Sequence, residues 1–442
     1  MQINDFPYIL KPIVEMKYPN ENVNFHSGNF KLIWENEEYS LKGELFLKWL
    51  PSIQINLIGE FDSNSKEFNF KTFGSSISVE IECIESNFKA KGIIKKFHRN
   101  INKIECLLIP PVNIGNIGEP VDFIQFEITN QERRKGNLVR TNKNTASHKR
   151  LVLPDNTYEI TIDEYADSLI LRSELNQIGG YQFLCSGKIK STDDSLLELK
   201  ELESTFEKLS QFLLFLNARK SSPLIFYGYK NGEIVWKHIQ TSECEQDNYY
   251  NGWVLKRKDL ELSKIWDKFC IFWNNKNDRE SLTIVLKWYN EANKQNIALE
   301  SRIVLIQNSL ELLFNWLITE KFNYVSSNDS KGISASAKIA FLLSYFQLEP
   351  KIPKELNELI KYSKAFNFTN GPDTFTHVRN CIVHSNSKKI SHLQNLSEPA
   401  KKEAVNMGIW YVEIILLKLL EYIGEYHNRC IGLKKYGAKD KI

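Results

Sequence analysis

The 442-residue chain is poor in the features that would place it quickly. Its seven cysteines, at positions 83, 106, 185, 244, 270, 381 and 430, are scattered, odd in number and without a CxxC pair. Such usage fits a reducing cytoplasm and provides no ligand spacing for a structural zinc site, so neither a metal nor a cofactor is expected. Long apolar runs are missing as well. The most apolar stretch, 409–423, is interrupted by Glu413, Lys418 and Glu421 at helical spacing, which reads as an amphipathic helix and excludes a membrane span. The first residues, MQINDFPYILKPIVEMKYPN, lack the charged head and unbroken apolar core of a secretion signal, and a cytoplasmic protein is expected. Charge of one sign is scarce too. A net charge of +3 neither demands nor opposes a nucleic-acid partner, so the local distribution of cations has to decide.

What is present is a globular composition: 42% apolar, 25% charged and 12% aromatic residues, with enough length for two or three domains. The pattern along the chain predicts a multidomain α+β protein. Residues 1–150 read as a β-rich N-terminal domain, to which the family resemblance given below assigns a sensing or regulatory role. Segments 39–47, 53–59, 77–84 and 104–109 are rich in β-branched and aromatic residues and are separated by turn signals, which fits a sandwich or partly closed barrel. No phosphate-cradling glycine pattern, catalytic triad signature or paired carboxylates stand out there. The run ERRKGNLVRTNKNTASHKR at 132–150 is basic and poor in apolar residues, so it reads as a loop or linker. Its cations, Arg133 and Arg134 among them, either contact phosphates or are simply solvated.

Residues 151–258 read as a small α+β middle domain. Strands are expected at 158–162 and 181–185, then a helix at 194–217 carrying Leu197, Leu202, Phe206, Leu209 and Leu213 at helical intervals. Strands 224–229 and 234–239 are expected to pair through Lys230-Asn231-Gly232, a strong hairpin signal. From about residue 259 the chain reads as helical to its end, with helices predicted at 261–274, 278–292, 295–321, 332–347, 352–366, 374–385 and 397–428. Trp266, Trp273 and Trp288 sit at helical spacing and read as core. The basic tail, 434–441, is poor in apolar groups and reads as disordered, with RNA contact as the alternative.

The chemistry-bearing segment is DTFTHVRNCIVH at 373–384. Gly371-Pro372 reads as a stop, after which Asp373 or Thr374 caps a new helix. At roughly 100° per residue, Val378 and Ile382 fall near Phe375 and form a core stripe. His377, Asn380 and His384 then lie on the opposite side within about 60° of one another. Arg379 sits roughly 140° from His384, too far to share one point on one helix without its long side chain. Two copies about a two-fold axis would bring such patches together.

Arg379-Asn380-Cys381-Ile382-Val383-His384 resembles the Arg-polar-x-x-x-His motif of HEPN domains. In that superfamily the motif lies on a late helix of an all-α domain, and two domains pair to form a shared, metal-independent endoribonuclease site. The resemblance implies a C-terminal HEPN bundle, a homodimer through it, and cleavage of RNA by 2′-hydroxyl attack leaving a 2′,3′-cyclic phosphate and a 5′-hydroxyl. The β-rich region followed by such a bundle is similar to ApeA-like antiphage proteins, which implies abortive infection set off by a phage-derived trigger. Histidine titrates near neutral pH and suits the proton transfer, and arginine grips phosphate oxygens through a fixed fork. Single-stranded loops expose the backbone such cleavage needs, so a tRNA anticodon loop is one candidate substrate.

Supporting residues follow from the same reading. Glu311, beside the core stripe of the 295–321 helix, either orients Arg379 or His384, as the resemblance implies, or is a solvated flank carboxylate. His377, Lys338 and Lys388 are candidate RNA contacts, each with an ordinary surface residue as the plainer alternative. Cys381 points sideways from the motif face and reads as core. A rival function keeps the HEPN fold and its dimer as a non-catalytic nucleic-acid-binding scaffold.

Overall fold

A computed structural model describes residues 3–62, 77–132, 134–241, 244–246, 252–255, 260–384, 387–431 and 439–441; the side chains of residues 387, 388, 390 and 439 lie outside that description. The chain divides into two compact units, Met1–Ser210 with Ser221–Asn248, and Gln211–Lys220 with Tyr249–Ile442.

In the first unit, strands β1 (Val23–Trp34), β2 (Glu37–Lys48), β3 (Gln54–Phe61), β4 (Ile77–Cys83), β5 (Phe88–His98) and β6 (Lys103–Leu108) pair antiparallel in the order β4-β1-β2-β3-β6-β5. A further β4–β5 pairing closes the ring. The expected β-rich region is thus a six-stranded barrel, which removes the exposed strand edges of an open sheet. The reason is legible in the alternation: β4 and β6 bury every second residue, and Leu32, Leu41, Leu45, Ile55, Leu57, Ile81 and Ile104 fill the interior at 0–1% exposure. Gly28 pairs with Gly43 and Gly43 with Gly59. A Cβ at Gly43 would stand 2.5 Å from the Ile58 carbonyl oxygen and 2.9 Å from the Gly59 Cα. Only glycine allows strands to approach this closely.

The sheet continues beyond the barrel through β7 (Val112–Gly115), β8 (Phe123–Thr129), β9 (Asn137–Arg140), β10 (Ala146–Pro154), β11 (Tyr158–Glu164), β12 (Phe183–Ser191), β13 (Pro223–Lys230) and β14 (Glu233–Ile239). Their order from the barrel outward is β7-β14-β13-β8-β12-β11-β10-β9. The boundary drawn at residue 150 falls inside β10. The basic run read as a linker is mostly the β9–β10 hairpin, held by backbone pairing that needs few apolar side chains. The Asn231-Gly232 hairpin forms as predicted, with both residues at positive φ (53° and 83°) and Lys230 opposite Glu233.

Two helices accompany this sheet. Helix α1 (Ser168–Ile178) was not expected: it buries only Leu171 and Leu175 among its apolar residues, while Leu169, Ile170 and Ile178 are exposed, so its periodicity is blurred. Helix α2 (Glu203–Asn217) begins later than predicted, after a 3-10 turn at Leu199–Leu202. Its Phe206 packs edge-on against Phe126 and Phe226 of the sheet.

The N-terminal segment is laid over the other face of β8. One parallel bridge ties it to β9, with the Ile9 N–H donating to the Arg140 carbonyl at 3.0 Å and the Arg140 N–H to that of Pro7 at 2.8 Å. Beyond it polar side chains hold the backbone: the Leu10 N–H donates to Asp163 Oδ2 and the Ile13 N–H to Glu127 Oε1, both at 2.8 Å. Gln182 Nε2 donates to the Met16 carbonyl at 3.1 Å, Gln125 Nε2 to that of Lys11, and Arg150 Nη2 to that of Tyr8 at 2.9 Å. Asp163, Glu127 and Gln182 are fully buried.

The second unit is helical: α3 (Leu262–Asn274), α4 (Lys276–Asn293), α5 (Leu299–Leu313) running into a π-helical stretch at Phe314–Lys321, α6 (Ser327–Ser330), α7 (Ala335–Tyr345), α8 (Asn357–Ala365), α9 (Gly371–Val383), α10 (Ser387–Gln394) and α11 (Glu398–Leu419). Side-chain caps open several of them: Asn275 for α4, Ser334 for α7 and Ser397 for α11. Trp266 and Trp273 are core, as expected, while Trp288 is half-buried. Helix α11 differs from the amphipathic expectation, because it is buried nearly all round and its Glu413 is fully enclosed. Arg429 supplies the reason: its Nε donates to Glu413 Oε2 at 2.9 Å, and Tyr289 donates to Oε1 at 2.7 Å. After α11 the chain turns to a short strand, β15 (Glu425–His427), which pairs with β16 (Lys439–Lys441) from the tail where no packed element was predicted. Among the described residues no helix is long and apolar enough to cross a membrane.

Candidate functional site

Helix α9 carries the 373–384 segment. Its N-terminus differs from the expectation: Asn370 is the cap, accepting the Asp373 N–H at 2.8 Å, and Gly371-Pro372 form the first turn instead of a stop. Proline is tolerated there because the first-turn N–H groups have no helical acceptor. A Cβ at Gly371 would lie 2.1 Å from Tyr411 Oη, so glycine lets the helix start against α11. Thr374, Phe375, Val378 and Cys381 are buried, while Ile382, assigned to the core stripe, is half-buried. Helices α5, α7, α10 and α11 all pack on α9.

At its C-terminal end the helix stops one residue short of His384, which is the C-cap at φ −107°, ψ 83° and is exposed. Its N–H donates to the Asn380 carbonyl oxygen at 3.1 Å. Arg379 Nη1 donates to Asn380 Oδ1 at 3.2 Å, so the amide steadies the guanidinium and its backbone holds the histidine. Arg379 and Asn380 are half-buried, and Arg379 Nε is buried with no hydrogen-bond partner among the described residues. Arg379, Asn380 and His384 thus share the end of α9, with His384 freed from helical register.

The other candidates are placed as follows. Glu311, half-buried on α5, accepts from Gln307 Nε2 at 2.9 Å; no hydrogen bond or ion pair among the described residues joins it to Arg379 or His384. Lys338, on α7, holds its ammonium 5.5 Å from the centre of the Phe314 ring. Arg134 belongs to the first unit, and Arg133 lies outside the described residues. Lys388 is on α10, with its side chain outside the description.

His377 is not a plain surface residue. Its ring sits among those of Phe368 (4.8 Å between centroids), Phe366 (5.1 Å), His392 (5.4 Å) and Tyr362 (6.1 Å). Burial pushes its pKa down, and His392 and Lys389 act in the same direction. Cys381 Sγ lies 3.5 Å from His377 Nε2. Burial raises the thiol's pKa, while the nearby Tyr362 hydroxyl and Lys389 work the other way. A ring nitrogen of His377, Cys381 Sγ and a ring nitrogen of His392 all lie within 4.8 Å of one another, a group able to hold a metal ion. This is a difference from the expectation drawn on the missing CxxC pair. The His-x-x-x-Cys spacing at 377–381 was a readable signal, whereas His392 arrives from α10, a helix not predicted.

Fold and site together define a protein with a β-barrel and its attached sheet in one unit, and in the other a helical array with a polar corner at the end of α9. Comparison with known proteins agrees with that division. A family model for the YopA central domain matches residues 116–250, and one for the YopA C-terminal domain matches 275–439. The chain is similar to the SPbeta prophage-derived uncharacterized protein YopA of Bacillus subtilis (strain 168), 26% identical over 425 residues, covering 93% of this chain and 92% of the relative. No solved structure matches.

Proposed function

We propose that the helical unit is a HEPN-type, metal-independent endoribonuclease acting through Arg379, Asn380 and His384. The observation that carries this reading is their joint position at the end of α9: an exposed imidazole, a guanidinium tied to Asn380, and a guanidinium N–H left without an acceptor. Arginine presents its donors in a fork matched to phosphate, and half-buried Arg379 has its terminal nitrogens to offer a phosphodiester. His384 takes the proton of the ribose 2′-hydroxyl, whose oxygen forms a new bond to phosphorus. The P–O5′ bond breaks, and the leaving oxygen takes a proton from the equivalent histidine of a second copy. The products are a 2′,3′-cyclic phosphate and a 5′-hydroxyl. Two copies meeting through this helix complete the site, as in a closed two-fold dimer.

The substrate is RNA, with the exposed backbone of a tRNA loop as the first candidate. The prophage origin of the relative is in keeping with a role in conflict between phages, in which a nuclease aborts infection once a phage product triggers it. The barrel and sheet then sense the trigger or restrain cleavage.

The test incubates wild type and His384→Ala with total bacterial RNA without added metal and maps the fragment ends. Wild type should leave cyclic phosphates, fail on RNA carrying a 2′-deoxyribose at the cleavage position, and outpace the variant by at least ~100-fold. Equal cleavage by both sinks the reading. No cleavage by either favours a non-catalytic scaffold.

A further inference from the structure

We infer that His377 and Cys381 of α9, together with His392 of α10, form a binding site for a transition-metal ion of the zinc type. Imidazole nitrogen and thiolate sulfur are the donors that borderline-soft divalent first-row metals take. With bonds of about 2.0–2.1 Å to nitrogen and 2.3 Å to sulfur, ligands at tetrahedral corners stand about 3.5 Å apart. His377 Nε2 and Cys381 Sγ are already 3.5 Å apart, one helical turn from each other on the same face. The widest spacing in the trio is within 4.8 Å, so His392 closes by about an ångström, a side-chain rotation, to complete the set.

The surroundings favour an ion. His392 Nδ1 is buried without a hydrogen-bond partner among the described residues, a deficit that buried polar atoms seldom carry. The Tyr362 hydroxyl, buried without a hydrogen-bond partner among the described residues, is near enough to the Cys381 sulfur to favour its thiolate. Phe366 stands 5.1 Å from the His377 ring and 4.5 Å from that of His392, walling both imidazoles with an apolar side chain. Such an outer shell fixes ligand orientation and limits water. Three protein ligands leave the fourth corner to a water molecule. On binding, the Cys381 thiol releases its proton to solvent as the sulfur–metal bond forms, both imidazoles bind neutral, and no electron moves. The ion ties α10 to α9, the helix that ends at His384, and so has a positioning role separate from RNA cleavage.

Cobalt reads the site directly. The full-length protein, reduced and freed of metal by chelator, is titrated with Co²⁺. One equivalent should bring up a thiolate-to-cobalt charge-transfer band together with the intense visible bands of tetrahedral cobalt, and one equivalent of Zn²⁺ should erase both. Cys381→Ser should abolish the charge-transfer band. His377→Ala and His392→Ala should each weaken Co²⁺ binding by more than about tenfold. Cys270→Ser and Cys430→Ser should leave the spectrum unchanged, and circular dichroism of every variant reports its fold. His392 is half-buried on a short helix, so its variant keeps the test alive where a core substitution fails to fold. The absence of a charge-transfer band at one equivalent overturns the site, and so does a band that survives Cys381→Ser or persists undiminished in both histidine variants.

Discussion

Both units bury a glutamate completely, and they keep it by opposite means. In the β-rich unit Glu127 has no cation paired with it among the described residues; it accepts from the Ile13 N–H, from Ser186 at 2.8 Å and from the Tyr165 hydroxyl. Burial outweighs those bonds and pushes its pKa from 4.5 up to about 8, so at neutral pH the carboxyl holds its proton. In the helical unit Glu413 meets Arg429 directly, with Arg429 Nη1 also donating to Asn293 Oδ1 at 3.2 Å. Burial works against the guanidinium charge, and the Glu413 carboxylate more than offsets it, holding the Arg429 pKa above its ordinary range. The same residue type at the same zero exposure is therefore a neutral hydrogen-bonding group in one place and half of an ion pair in the other. What separates them is whether the fold delivers a cation, and only chain topology settles that.

The sharpest way to break this contrast is Arg429→Met. It strands a buried carboxylate and should cost about 3–5 kcal/mol, read as a lower denaturant midpoint, with much of the loss recovered when Glu413→Leu is added. A single-variant cost below about 1 kcal/mol would mean that Glu413 is not an ion in the fold. Of similar size, when summed over its whole window, is the pH effect of Glu127. The unfolded chain ionises near 4.5 while the folded carboxyl keeps its proton to about 8. The stability this group contributes is therefore full below 4.5 and is lost as pH rises through 8, at roughly 1.4 kcal/mol for each pH unit between those two values. Glu127→Gln should flatten that slope, so wild type should lose more stability than the variant between pH 5 and pH 8 in urea titrations. A wild type that gains on the variant across this window would show Glu127 ionised. The smallest effect belongs to a half-exposed polar group. Asn370→Ala removes the α9 cap and should cost about 1 kcal/mol in the same titration.

Local signals in the sequence translated well into local structure. Asn231-Gly232 specified its hairpin, and most helices of the second unit appear close to the predicted ranges, because caps and 3.6-residue periodicity are short-range properties. Barrel closure was less legible: besides its local hairpin with β5, β4 must pair with β1, where Lys31 lies opposite Glu82, a contact far apart in the chain. The β9–β10 hairpin hid inside a basic run, and α10, with His392, carried too weak an apolar pattern to be read. The Arg379-Asn380-His384 grouping was visible as a motif, but its placement at a helix end was not, since the expected helix ran past His384. Glu413 looked like a solvated face because its partner, Arg429, lies beyond the helix, 16 residues on.

The way the N-terminal segment is held has a consequence for how this region drifts over generations. Asp163, Glu127, Gln182, Gln125 and Arg150 engage only main-chain atoms of residues 8–16. Most side-chain identities in the segment are therefore free of those five contacts, while the phase of its amides and carbonyls is fixed. Removing or inserting one residue between Tyr8 and Met16 would misalign several buried groups at once. Outside Val14 and Met16, whose side chains are buried in the core, spelling in this stretch has latitude; its length has none.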